Sequence, residues 1–263
     1  MQNRIEQCFE ALRARNEKAF IAYICAGDPD LPRTVDLALA LEKAGTDILE
    51  LGVPFSDPLA DGLVNQLAAQ RALEAGATVE GVLECVRQIR RHSQMPIVLY
   101  TYLNPIFQFG FDRFHTEARD AGVDGLLILD LPPEEDLGRQ GEALLHIRLI
   151  APTTPPERVQ EICSRAAGFI YYVSREGVTG VQTSVATSLG DRVAQIRACT
   201  ELPIAVGFGI STAEQAREVA GFADAIVVGS AIVKRISEAG AAPDMPEQIG
   251  KFVASLVAAV KRG

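Results

Sequence analysis

The stretch Pro203–Ile236, PIAVGFGISTAEQAREVAGFADAIVVGSAIVKRI, carries one pattern twice. Two candidate strands, Pro203–Val206 and Ala223–Val228, hold the runs IAV and AIVV, apolar on both faces as buried parallel strands must be. Each run ends in a glycine-bearing turn, Gly207-Phe208-Gly209-Ile210-Ser211 in the first case and Gly229-Ser230 in the second. Each turn leads into a segment of helical periodicity, Ala213–Ala220 and the AIVKRI run after Ser230. Strand, glycine turn and helix in repeating order predict parallel strands joined by helical crossovers.

The same alternation extends toward the other end of the chain. Further strands are expected at Phe20–Cys25, Asp47–Leu51, Pro96–Tyr100, Gly125–Leu129, Arg148–Ile150 and Gly168–Val173, with helices such as Thr34–Lys43 and Val79–Arg91 between them. Eight strands favour a closed barrel over an open doubly wound sheet. The 263 residues match the usual size of one such barrel, about 250 residues. A single (β/α)8 TIM barrel spanning 1–263 is therefore expected. Ile5, Cys8, Phe9 and Leu12 at helical spacing add a short N-terminal helix. Two helix starts resemble capping boxes, Thr154-Pro155-Pro156-Glu157 and Ser211-Thr212-Ala213-Glu214.

Composition narrows the class of partner. Hydrophobic residues make up 48% and charged residues 22%, with a net charge of −9. That balance disfavours nucleic acid and anionic membranes, which need a basic face. An anionic substrate is still compatible, because backbone N–H groups at a helix start can hold it. The five cysteines, Cys8, Cys25, Cys85, Cys163 and Cys199, are scattered and form no C-x-x-C pair, as expected of reduced thiols in a cytoplasmic protein. No apolar run reaches the length of a membrane span.

Barrel enzymes carry their chemistry on the loops that follow the strands. The turns after strands seven and eight place Gly209, Gly229 and Ser230 where barrels frequently bind phosphate, although each glycine is equally readable as a plain turn residue. The long stretch Ser174–Gly190 after strand six is a lid candidate without structure of its own. Glu50 lies within the second strand, where either face is buried. Two readings stand: a desolvated acid suited to proton transfer, or a strand-end carboxylate that reaches water or pairs with a cation. Asp61 ends the next loop. It is either a second acid converging on the same pocket or an N-cap for the following helix. Asp28, Asp57 and Asp130 read as turn or cap residues.

Other chemistries lack their residues. None of the lysines, Lys18, Lys43, Lys234, Lys251 and Lys261, falls at a strand's C-terminal end, so a Schiff-base mechanism has no nucleophile. His92, His115 and His146 map to helices or to a strand entrance, so a zinc site is not expected.

The string Glu50-Leu51-Gly52-Val53-Pro54-Phe55-Ser56-Asp57-Pro58-Leu59-Ala60-Asp61-Gly62 resembles the signature of the tryptophan synthase α chain family. Ala26-Gly27-Asp28-Pro29, Tyr102-Leu103-Asn104-Pro105, Ser174-Arg175-Glu176-Gly177-Val178-Thr179-Gly180, Gly207-Phe208-Gly209-Ile210 and Gly229-Ser230-Ala231-Ile232-Val233 are also similar, in order, over nearly the whole chain. The resemblance implies a lyase that cleaves indole-3-glycerol phosphate to indole and glyceraldehyde 3-phosphate. Glu50 would be the acid–base and Asp61 the anion at the indole N–H. Gly180, Gly209, Gly229 and Ser230 would bind phosphate, and Tyr23, Tyr171, Leu127 and Leu129 would line the pocket. Thr179 and Arg175 would belong to a closing lid.

By the same resemblance, this chain needs no cofactor, and its partner is the tryptophan synthase β chain, which holds pyridoxal phosphate in an α2β2 heterotetramer. Asp57, Pro58, Asn104, Leu131 and Pro132 would face that partner. Leu63 and Glu176 depart from the family pattern, as does Tyr23, which stands where some members have Phe. Alternatives are a stand-alone indole-releasing lyase, a non-catalytic phosphate-binding scaffold, and a phosphate-barrel isomerase, which the PFSDPLADG loop disfavours.

Overall fold

In the computed structural model, residues 2–135, 144–174, 182–207 and 209–261 are described, with 182–188 described by backbone alone. The chain runs α1 (Arg4–Ala14), β1 (Ala19–Cys25), α2 (Leu31–Lys43), β2 (Ile48–Gly52), α3 (Leu63–Glu74), α4 (Val79–Arg90), β3 (Ile97–Thr101), α5 (Leu103–Phe109), α6 (Phe111–Ala121) and β4 (Gly125–Ile128). It continues through β5 (Leu145–Ile150), α7 (Pro156–Ser164), β6 (Ile170–Val173), α8 (Gln182–Arg197), β7 (Ile204–Gly207), α9 (Ala213–Ala220), β8 (Ala225–Val228), α10 (Ser230–Ala239) and α11 (Met245–Lys261). The eight strands close into a barrel in sequence order, every neighbouring pair is parallel, and β8 returns to β1.

Alternation along each strand divides the core into two layers. Ile21, Ile48, Val98, Leu127, Ile147 and Val227 point into the barrel. Leu49, Leu51, Leu99, Leu126 and Ile226 point outward beneath the helices. The helix α1 closes the N-terminal end of the barrel. Its Ile5, Phe9 and Leu12 join the inner cluster, and Phe9 lies 5.8 Å from Phe169 between ring centroids. Asn3 and Glu6 form the capping box that starts it.

A charged clasp holds that end together. Buried Asp124 accepts hydrogen bonds from Arg4 (2.9 Å), Arg90 (2.7 Å) and the Ile97 N–H (2.8 Å). Asp124→Asn leaves the poorly hydrated Arg90 guanidinium without its counter-charge, a loss of about 3 kcal/mol. Urea unfolding should show it as a lower midpoint with an unchanged slope; an unmoved midpoint would mean the clasp contributes nothing net.

Several local expectations needed correction. Thr154 does not cap α7. The residue before a proline is driven to extended backbone, so Pro155 (φ −70°, ψ 155°) cannot be helical and the helix begins at Pro156. The Thr154 hydroxyl instead accepts from the Ala151 N–H at 3.0 Å. The second box sits one residue later than expected, between Thr212 and Gln215, because the Gln215 carbonyl reaches the N–H groups of both Ser211 and Thr212.

The segment 174–190 is not an unstructured span, since α8 begins at Gln182 and runs through Gly190. Phe222 packs so closely there that a Cβ on Gly190 would meet its ring at 3.1 Å. Strand β5 starts at Leu145, three residues before the expected start. Its His146 stacks on His115 and its Arg148 is buried, so polar side chains hide a strand that hydropathy alone shortens. Strand β6 starts late because Gly168 has φ +80°, which an extended strand cannot contain.

Candidate active site

On β2 the inward positions are Ile48 and Glu50, and the register sets Glu50 beside Tyr23 of β1 and Val98 of β3. Glu50 is only 1% exposed. Among the described residues its Oε1 has no hydrogen-bond partner, and no cation pairs with it. Burial first, and the charge of Asp61 second, push its carboxyl up to about 8. At neutral pH it is mostly a neutral acid. The alternative of a strand-end glutamate paired to a cation does not apply.

Asp61 does not cap α3 either. The cap position is Gly62, which makes no side-chain bond. The Asp61 carboxylate turns inward and accepts the Tyr100 hydroxyl on Oδ1 (2.9 Å) and the Tyr102 hydroxyl on Oδ2 (2.8 Å). The Tyr102 oxygen also accepts the Ala60 N–H at 3.0 Å, which ties the loop to the residue that follows β3 and caps α5. Burial raises the Asp61 carboxyl above its ordinary range, opposed by Tyr102, Tyr100 and the Asn65 side chain. The pocket thus pairs an acid that holds its proton with a carboxylate that is hydrogen-bonded as an anion. Environments that split two carboxyl groups in this way suit them to different halves of acid–base chemistry.

Four of the five tyrosines surround this pair. Burial, reinforced by the charges of Asp61 and Glu50, pushes the hydroxyls of Tyr23, Tyr100 and Tyr171 well above 10, so all three keep their protons. Two glycines make room for them. A Cβ on Gly52 would lie 2.5 Å from the Tyr23 hydroxyl, and one on Gly207 would lie 2.5 Å from that of Tyr171. Leu127 is fully buried inside the barrel and Leu129 is half-buried beside the same inner cluster.

The glycine turns border this pocket. Tyr23 packs on Gly229, where an added Cβ would meet its ring at 3.2 Å. Gly229 holds the cap position of α10 without a side-chain bond among the described residues, and Ser230 opens the helix, whose first N–H groups lack intrahelical partners. Gly209 has φ +65°, and a Cβ added there would meet no described residue within 4 Å. Thr179, Gly180, Arg175 and Glu176 lie outside the described residues.

The remaining strand-end acids have other partners. Asp28 pairs with Arg71 through bonds of 2.8 and 2.7 Å rather than serving as a cap, and Asp130 accepts the Leu103 N–H at 2.7 Å. Among the described residues no cluster of His, Cys, Asp and Glu could hold a metal ion. The reading of the sequence missed Tyr100 as a pocket residue and saw Tyr102 only as part of a motif. Strand alternation was the available signal for Tyr100, which lies two residues after inward-facing Val98.

A family model described as tryptophan synthase alpha chain matches residues 9–261. The tryptophan synthase alpha chain of Opitutus terrae is 52% identical, over 99% of this chain and 100% of that relative. That of Citrifermentans bemidjiense is 48% identical, over 99% of both chains. Among solved structures, the tryptophan synthase alpha chain of Legionella pneumophila is 41% identical with a TM-score of 0.90, over 99% of this chain and 98% of that one. A chain of Mycobacterium tuberculosis tryptophan synthase is 34% identical with a TM-score of 0.89, over the full length of both.

Proposed function

This chain belongs to the tryptophan synthase α chain family and is a lyase of tryptophan biosynthesis, and from that premise we propose that Glu50 and Asp61 perform its retro-aldol cleavage of indole-3-glycerol phosphate. The observation that carries the proposal is the buried, proton-holding Glu50 beside a hydrogen-bonded Asp61. Neutral Glu50 donates its proton to indole C3. The resulting cationic ring shares its N–H with Asp61, whose charge opposes the one that develops. The Glu50 carboxylate then takes the proton of the glycerol hydroxyl next to the ring. That oxygen becomes the aldehyde, the carbon–carbon bond breaks, and its electron pair returns to the ring. Indole and glyceraldehyde 3-phosphate leave, and Glu50 is neutral again.

Phosphate would rest on Gly209, Gly229 and Ser230, with Gly180 completing the cradle; the uncapped start of α10 supports this. Tyr23, Tyr171, Leu127 and Leu129 would bound the ring and chain of the substrate. Thr179 and Arg175 would close over the bound substrate, with Thr179 meeting Asp61. The electron sink is the substrate's own ring, so the reaction as proposed draws on no cofactor in this chain. The whole chain, 1–263, is read as one barrel domain, supported by the span of the family match.

The partner would be a tryptophan synthase β chain carrying pyridoxal phosphate, in an α2β2 assembly. Asp57, Pro58, Asn104, Leu131 and Pro132 would meet it. Exposed Leu59, Leu63, Leu67 and Phe107 on and beside the same loops support a docking face there, since large apolar side chains are rarely left in water in such number. A cytoplasmic location fits a chain in which no described helix is long and apolar enough to cross a membrane.

Free indole after adding indole-3-glycerol phosphate to the purified chain, with and without β chain, tests the proposal. Release that rises steeply with the β chain is expected. Full turnover without it would identify a stand-alone lyase, and no indole in either case would overturn the assignment.

A further inference from the structure

We infer that Tyr100 is a positioning residue for Asp61, holding the loop-borne carboxylate against the barrel wall that carries Glu50 and keeping it ionised; the inference rests on the acid–anion pairing proposed above. Asp61 lies on the loop after β2, and its position relative to Glu50 is not set by β2 alone. Two hydroxyls hold it, and they are not equivalent. Tyr102 follows β3 at the start of α5, and its oxygen is shared with the Ala60 N–H of the same loop. Tyr100 lies within β3 itself, two residues beyond Val98, the β3 residue in register with Glu50. Its ring meets the Tyr23 ring edge-on at 5.0 Å and 69°. Tyr23 is in turn the β1 residue in register with Glu50. The Tyr100 hydroxyl, 2.9 Å from Asp61 Oδ1, is thus the bond that refers Asp61 to the strands on both sides of Glu50.

The same bond acts on charge. Asp61 is partly removed from water, which works against its anion. A hydroxyl donor on Oδ1 bonds the ionised form more strongly than the neutral one, and the raised pKa of Tyr100 keeps that donor in place. Each carboxylate oxygen offers two lone-pair positions, so one of the four remains for a ring N–H after both tyrosines and the Asn65 side chain have bonded.

Tyr100→Phe keeps the ring against Tyr23 and removes only the hydroxyl. Its kcat/KM profile should show an acid limb moved up by about one pH unit. At pH 7 kcat should fall about tenfold, with KM within about twofold of the native value. A 13C titration of the Asp61 carboxyl should show its midpoint moving upward as well, a readout independent of turnover and open to a variant with lowered thermal stability. A pH profile and a carboxyl titration that both superimpose on the native ones would overturn the inference. Asp61→Asn separates the two claims. If that variant is inactive while Tyr100→Phe is native-like, only the role of Tyr100 fails; if Asp61→Asn is itself fully active, the underlying mechanism fails.

Discussion

Glu50→Gln is expected to lower indole release by about 1,000-fold while making the folded chain more stable in alkaline solution. The two effects come from one cause. Gln fills the same space but cannot exchange a proton with C3 or with the glycerol hydroxyl, so both proton transfers lose their carrier. Stability changes in the opposite sense because the native carboxyl is buried without a hydrogen-bond partner on Oε1 among the described residues. Its value rises from an ordinary 4.5 to about 8 in the folded chain. Between those values the folded state binds a proton that the unfolded state has released, so native stability declines as pH rises from 4.5 and the full cost is present above about 8. The shift corresponds to a cost on the order of 5 kcal/mol at pH 9, which the Gln variant escapes. Thermal melts at pH 6 and pH 9 should show a stability advantage that is larger at pH 9. A variant that still releases indole at a tenth of the native rate, or an advantage that grows toward low pH, would contradict this account.

Asp61→Asn is expected to lower kcat/KM by about 100- to 1,000-fold. The substituted amide has the shape of the carboxylate and retains one acceptor oxygen, but it opposes no positive charge on the ring. It also presents an NH2 where Tyr100 or Tyr102 now donates, so one of those hydroxyls must turn away. A second consequence reaches Glu50. Part of the upward shift of Glu50 comes from the Asp61 charge, so removing that charge should lower the Glu50 midpoint from about 8. The basic limb of the pH profile should move down with it. Activity within threefold of native, or a Glu50 midpoint that holds or rises, would show that the two acids do not share a pocket.

Much of this site was legible because it depends on short-range regularities. Glu50 could be placed on a buried strand face by period-two alternation with Ile48, and the structure has both residues facing inward. The glycine turns after β7 and β8 could be read from composition, because a positive φ such as that of Gly209 and an uncapped helix start such as that of α10 favour glycine. Capping was less secure. Thr154, Ser211 and Asp61 each match a cap pattern, and none of the three caps its helix. A cap pattern states only that a side chain can bond to a helix start, and stronger partners or a neighbouring proline can take it elsewhere.

By itself, then, the amino-acid order determined the strand–helix repeat, the eightfold count, an acid on the second strand sharing a face with Ile48, and the glycine turns at one end; that this face points into the barrel came from closure. Those properties follow from backbone geometry and hydrophobic period over a few residues. Only the closed barrel decided that Asp61 would bond to hydroxyls 39 and 41 residues further along the chain, that Tyr23 and Tyr100 would flank Glu50, and that Asp28 would take Arg71. Which partner a polar side chain takes, and how far its pKa moves, depend on what closure brings within 3 Å and on how much water closure removes. Neither quantity is a local property of the chain.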